Sequence, residues 1–215
     1  MNKIFIAGDS YCFYREDPIN HWPARLAKNL GLELHGNGFP GAGFWPVRKL
    51  FLEFAQTKNF NETDLFVFCH TQPHRVLTSN PNFFENFDKN NEFYFKCIQS
   101  DDVDSWAVTT WYNELSTYLQ GKTVIHLASF EHTELFSKLS GLKLLTPLLD
   151  ICILSAGGSL SENGWGDSKV RKRMNDFHNH FSPAENINFG NFLTNIVTEQ
   201  ATNVYRGDFV YKYCE

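Results

Sequence analysis

The chain has 215 residues, a net charge of −5 and a hydrophobic fraction of 42%, with 21 Phe, 8 Tyr and 5 Trp. This aromatic load excludes a disordered chain and predicts one packed domain over residues 1–215. The basic residues are scattered, and their one cluster, Lys169 to Arg173, reads as a solvated face, so no nucleic-acid partner is expected.

Taken in order, the elements alternate between strands and helices. Lys3 to Ala7 is a short apolar run, predicted to be a buried strand. Gly8-Asp9-Ser10 follows at its carboxyl end. Gly8 permits a sharp turn there, and Asp9 can hold the turn by accepting from nearby amides. Trp22, Leu26 and Leu30 then recur on one helical face, with Pro23 in the first turn and Gly31 at the end. Leu32 to His35 is a short second strand. Residues Gly36 to Gly43 contain four Gly in eight, a composition that brings backbone amides close to a neighbour.

Phe44 to Phe54 is the next helix, with Val47, Phe51 and Phe54 inward. Leu65 to Cys69 is the clearest buried strand. The polar and aromatic stretch from about 71 to 100 reads as a long loop or lid. Val103 to Leu119 is predicted as a helix whose Trp106 and Trp111 are core residues, and Thr123 to Ser129 as a strand. Within 131–168 the pattern assigns only an edge strand at Leu142 to Leu145 and a loop at Gly157 to Gly166. Ser182, Pro183 and Glu185 form a capping sequence for a final helix, along which Phe189, Leu193 and Val197 share a face. The order βαβαβ-α-βα predicts a mostly parallel sheet covered on both faces.

Ser10 ends the first strand, where open α/β sheets put their ligands. A hydroxyl exposed at that crevice is a candidate nucleophile. With this in place, the chain resembles the SGNH or GDSL hydrolase superfamily. Gly8-Asp9-Ser10 is similar to the family's nucleophile block. Asn37-Gly38-Phe39-Pro40-Gly41 is similar to its Asn-x-Gly-x-x-Gly block. His180, just before the final helix, stands where the family keeps its catalytic His. The resemblance spans nearly the whole chain. It implies a flavodoxin-like three-layer α/β/α sandwich with a mostly parallel sheet, and a serine esterase that needs no metal or cofactor. Ser10 would be the nucleophile and His180 its general base. The backbone amides of Ser10 and Gly41 would face the oxyanion.

Two blocks depart from the family pattern. Where the family has Gly-x-Asn-Asp, this chain has Cys69-His70-Thr71-Gln72-Pro73-His74-Arg75, so Thr71 or Gln72 could donate to the oxyanion and Arg75 could stabilise charge. In this respect the chain is similar to phage-encoded relatives, which implies a virus-encoded protein. The family's Asp-x-x-His is absent, because Phe177 stands three before His180. Asp176 is one residue further back, and either orients the imidazole or leaves a Ser–His dyad.

Other readings stay open. His178 is an alternative base. His178 and His180 together form a His-x-His pair of the kind found in metal sites. His70 and His74 read as polar surface or pocket lining. The departures also admit a non-catalytic carbohydrate-binding or structural domain on the same fold. The expected substrate is an ester, with O-acetyl groups on a carbohydrate or a short acyl ester as the leading classes. Five Cys at 12, 69, 97, 152 and 214 are odd in number and include no Cys-x-x-Cys pair, which favours a reducing compartment. No signal peptide or membrane-length apolar run is present, so a cytoplasmic location without membrane contact is expected.

Overall fold

The central strands are apolar on both faces, and this sets the layer order. In the computed structural model, which describes residues 2–14, 20–40, 43–57, 64–71, 100–130, 136, 138–155 and 181–201, five strands form one parallel sheet. They are β1 (Lys3–Gly8), β2 (Glu33–His35), β3 (Leu65–His70), β4 (Thr123–Ala128) and β5 (Leu142–Lys143), in the spatial order β2-β1-β3-β4-β5. Every pairing is parallel, with Ile6 opposite Val67 and Val67 opposite Ile125. The helices are α1 (Trp22–Leu30), α2 (Phe44–Thr57), α3 (Asp101–Tyr118), α4 (Leu148–Ser155) and α5 (Pro183–Ala201).

Successive side chains of a strand point to opposite faces, and two cores follow from that alternation. Ile4, Ile6, Leu65, Val67, Ile125 and Leu127 face one way, against Trp22 and Leu26 of α1, Ile151 of α4, and Phe189 and Leu193 of α5. Phe5, Ala7, Phe66, Phe68 and Val124 face the other way, against Val47 and Phe51 of α2 and Trp111 and Leu115 of α3. The second core is largely aromatic. Phe51 meets Phe5, Phe66, Phe68 and Trp111 at centroid distances of 5.6–6.4 Å, mostly edge-on, the arrangement that aromatic quadrupoles favour.

The sequence reading meets this structure closely in the first half of the chain. α1 carries Trp22 and Leu26 fully buried and ends at Gly31, and Val47, Phe51 and Phe54 point inward on α2. At α5 the predicted capping box is closed. Glu185 N–H donates to Ser182 Oγ at 3.3 Å, and the Ser182 N–H donates to Glu185 Oε2. Two readings need correction. Trp106 is not core but 69% exposed. Trp111 stands five positions further on, which at 3.6 residues per turn sets the two side chains roughly 140° apart on the helix. The sequence pattern does not assign α4, because six of the eight residues of Leu-Leu-Asp-Ile-Cys-Ile-Leu-Ser are apolar, and Asp150 and Ser155 alone give no period to read. The predicted lid, the Gly157 to Gly166 loop and the Lys169 to Arg173 cluster lie wholly or almost wholly outside the described residues. Among the described residues, no helix is long and apolar enough to cross a membrane.

Phe51 is fully buried among the rings of Phe5, Phe66, Phe68, Trp111 and Tyr118. Phe51→Ala is expected to lower the unfolding free energy by about 3–5 kcal/mol, through lost burial and the cavity left behind. Urea denaturation of the two proteins measures this.

Candidate active site

Ser10 owes its position to the end of β1. Gly8 is the last strand residue and pairs with Cys69 of β3. A Cβ on Gly8 would lie 2.4 Å from Cys69 Cβ, so a side chain there would force the two strands apart. Buried Asp9 then turns the chain. Its Oδ1 accepts from Tyr11 N–H at 3.0 Å, and its backbone oxygen accepts from Cys12 N–H at 3.3 Å. A single 3-10 turn, Ser10–Cys12, results, with half-buried Ser10 as its first residue. In the order β2-β1-β3, the neighbours of β1 belong to crossovers running to opposite sides, and a crevice opens at the carboxyl ends of such strands. Ser10 stands at that crevice.

The segment after β2 wraps the same turn. Gly38 makes a parallel bridge with Gly8, and Phe39 N–H donates to Gly8 O at 2.9 Å. A Cβ on Gly38 would sit 2.2 Å from Asp9 O and 2.4 Å from Phe13 N, so only a bare backbone fits. Asn37 Oδ1 accepts from Gly38 N–H at 2.9 Å and from Tyr14 N–H at 3.4 Å, tying this segment to the chain beyond Ser10.

Thr71 follows the last residue of β3 and Ser129 the last residue of β4. Ser129 N–H donates to His70 O at 2.9 Å, which continues the β3–β4 register past both strands. Thr71 Oγ1 and Ser129 Oγ are buried hydroxyl oxygens without a hydrogen-bond partner among the described residues. Leaving such groups unpaired inside a protein is unfavourable by about 1–3 kcal/mol each.

Beneath them lies a histidine pair. His70 Nε2 is 2.9 Å from His126 Nδ1, and His126 Nε2 is 2.9 Å from Ser140 O. A carbonyl only accepts, so His126 Nε2 carries a hydrogen. In the neutral pair His126 Nδ1 then accepts, and His70 Nε2 donates to it. Burial, and secondly His126, push the His70 pKa well below its ordinary value. His70 is thus a buried neutral residue on the aromatic side of the sheet, stacked near Phe68 and edge-on to Tyr112.

A third segment reaches the site through Asn186 of α5. Its Oδ1 accepts from Trp22 N–H at 3.1 Å, and its Nδ2 donates to Phe181 O at 3.1 Å and Ser182 O at 3.2 Å. Trp22 Nε1 in turn donates to Tyr11 O at 2.8 Å. The Phe181 ring packs edge-on against Tyr11 at 5.8 Å between centroids. Phe181, next in sequence to His180, is therefore held against the residue next to Ser10.

Of the sequence-derived candidates, Ser10 and Thr71 lie at the same sheet edge. Gly41, Gln72, Arg75, Asp176, His178 and His180 lie outside the described residues, as does His74. Three contributors went unremarked in the sequence. Asn186 stands three residues before Phe189 and seven before Leu193, so it is a polar residue on the apolar face of α5. His126 interrupts the apolar run of β4. Ser129 carries no sequence signal beyond its place at the strand end.

Comparisons with protein-family models, with curated proteins and with solved structures find no match to this chain.

The depressed His70 pKa has a consequence for stability. The unfolded imidazole, near pKa 6.5, binds a proton that the folded one resists. The contribution is fully present above about pH 6.5 and is lost as pH falls below it, at up to ~1.4 kcal/mol per pH unit. Urea midpoints measured between pH 7.5 and 5 should fall for the wild type and change less for His70→Gln.

Proposed function

We propose that this chain is a serine esterase of the SGNH type, acting through an acyl-enzyme on Ser10. The observation that carries the proposal is the meeting of three sequence-distant segments at the crevice: the Ser10 turn, the Asn37-Gly38 segment wrapped on it, and Phe181 packed on Tyr11. One peptide bond joins His180 to Phe181, and consecutive Cα atoms are about 3.8 Å apart. The strand order β2-β1-β3-β4-β5, with helices on both faces, agrees with a flavodoxin-like sandwich.

In this reading His180 takes the proton of Ser10 Oγ as the oxygen attacks the ester carbonyl. The C–O bond to the alcohol then breaks, and the imidazolium returns its proton to the leaving oxygen. Water, deprotonated by the same His, releases the acid and restores Ser10. Asp176 orients His180 where it can reach the ring. The amides of Ser10 and Gly41 face the negative oxygen, each such donor being worth ~3 kcal/mol in the transition state. The family's Asn donor is missing, and Thr71, whose buried hydroxyl has no hydrogen-bond partner among the described residues, is one candidate to replace it. Gln72 and Arg75, further along the same segment, are the other candidates for stabilising that charge.

Hydrolysis of p-nitrophenyl acetate tests the reading. Ser10→Ala is expected to abolish turnover while the protein stays folded. His180→Ala should lower kcat by about a thousandfold or more, with His178→Ala far less affected. Thr71→Val should lower kcat by about ten- to a hundredfold with little change in KM. Full activity in Ser10→Ala would overturn the assignment. A folded wild-type protein with no turnover would favour the non-catalytic binding domain.

A further inference from the structure

A second concavity, about 500 Å³ in volume, lies between α2 and α3 on the aromatic side of the sheet. It begins at the first turn of α2, where Phe44 and Trp45 stand, and meets α3 at Trp106, Thr110 and Trp111. In a parallel sheet the helix that follows a strand starts at that strand's carboxyl end, so these turns lie toward the sheet edge that carries Ser10. The floor is rigid, because Trp111 is buried against Phe51 and Phe68. The walls are open, with Trp45 38% and Trp106 69% exposed. Two exposed indoles beside one cavity are an unusual use of the residue type that proteins most readily bury.

Two polar residues line this cavity, Thr110, whose hydroxyl donates to Trp106 O within the helix, and Arg48. Its Nε and Nη2 donate to Glu114 at 2.6 and 2.8 Å, a two-point pairing that fixes the guanidinium plane. The guanidinium also lies 5.2 Å from the Trp45 ring centroid. Its remaining nitrogen, Nη1, makes no hydrogen bond among the described residues. Glu114 balances the charge, so the cavity offers a fixed donor edge without net charge.

We propose that this cavity is a binding subsite for a neutral saccharide. The C–H face of a pyranose carries partial positive charge and meets the negative face of an indole. Its hydroxyls accept hydrogen bonds from a fixed guanidinium edge. A free anion would find its partner charge already compensated by Glu114. An acyl chain would cover the free Nη1 donors without pairing them. The volume falls within the roughly 300–1,000 Å³ of small-molecule sites, whereas a protein partner needs about 20–30 residues a side. The subsite goes beyond the esterase reading and does not require Ser10 chemistry.

Tryptophan fluorescence of the full chain, titrated with maltotriose, cellotriose and triacetylchitotriose, tests it. At least one of the three is expected to give a saturable change below about 10 mM, the weak end of specific small-ligand binding. Trp106→Ala, at an exposed position and checked by its melting temperature, should weaken that binding at least about tenfold, with Trp45→Ala doing the same by fluorescence or calorimetry. Ser10→Ala should bind as the wild type does. Binding lost in Ser10→Ala but kept in Trp106→Ala would move the sugar to the candidate active site and overturn the subsite, while leaving the esterase reading standing. Saturable binding of octanoate without any saccharide, or a dimer dissolved by Trp106→Ala without saccharide binding, would also overturn it, as would no saturable change with any of the three.

Discussion

The carboxamide of Asn186 joins backbone segments that the sequence keeps far apart. Its oxygen takes the N–H of Trp22, an orphan donor in the first turn of α1, and its nitrogen feeds the carbonyls of Phe181 and Ser182 at the entry to α5. Trp22 passes the link on, through its indole N–H, to Tyr11 O. The group is buried, so each bond is made away from water, and an apolar substitute would leave several backbone groups unpaired together. Packing reinforces the link: Phe181 touches both Tyr11 and Phe189, and Phe189 touches Trp22. One polar residue on an otherwise apolar helix face thus sets where the chain entering α5 meets the turn after β1.

The rest of the site follows from the sheet. A parallel sheet with β1 beside both β2 and β3 must carry its crossovers to two sides, and the strand ends between them are left uncovered. At this edge lie the Ser10 turn and the Gly38 segment packed against its backbone, with Thr71 and Ser129 at the ends of the neighbouring strands. On the aromatic side of the sheet, the buried His70–His126 pair ties β3 to β4, with one carbonyl, Ser140 O, dictating the tautomer of both rings. The aromatic core under α2 and α3 adds a second rigid surface, and the Trp45–Trp106 cavity is built on it.

Much of this was legible in the residues, for physical reasons that differ from case to case. The three central strands could be read because each is a short, mainly apolar run bounded by polar or Gly residues. The α5 cap could be read because Ser182 and Glu185 have the spacing that pairs them. Ser10 was visible as the hydroxyl after a buried strand. α4 was not, since its eight residues are mostly apolar and Asp150 and Ser155 alone set no period. Trp106 misled because residue type suggests burial, while its helical phase relative to Trp111 sends it outward. The histidine pair escaped because its partners stand 56 residues apart, and only the β3–β4 register brings them together.

We propose that Ser10 is a nucleophile activated by His180, the residue before Phe181, whose carbonyl oxygen Asn186 holds. Labelling with a fluorophosphonate, followed by peptide mass mapping, tests it most directly, since the reagent traps a Ser hydroxyl only where a base activates it. The account predicts one adduct, on the peptide carrying Ser10, formed rapidly by the wild type and lost in His180→Ala. A folded protein that stays unlabelled at Ser10, or one labelled equally well without His180, would contradict it.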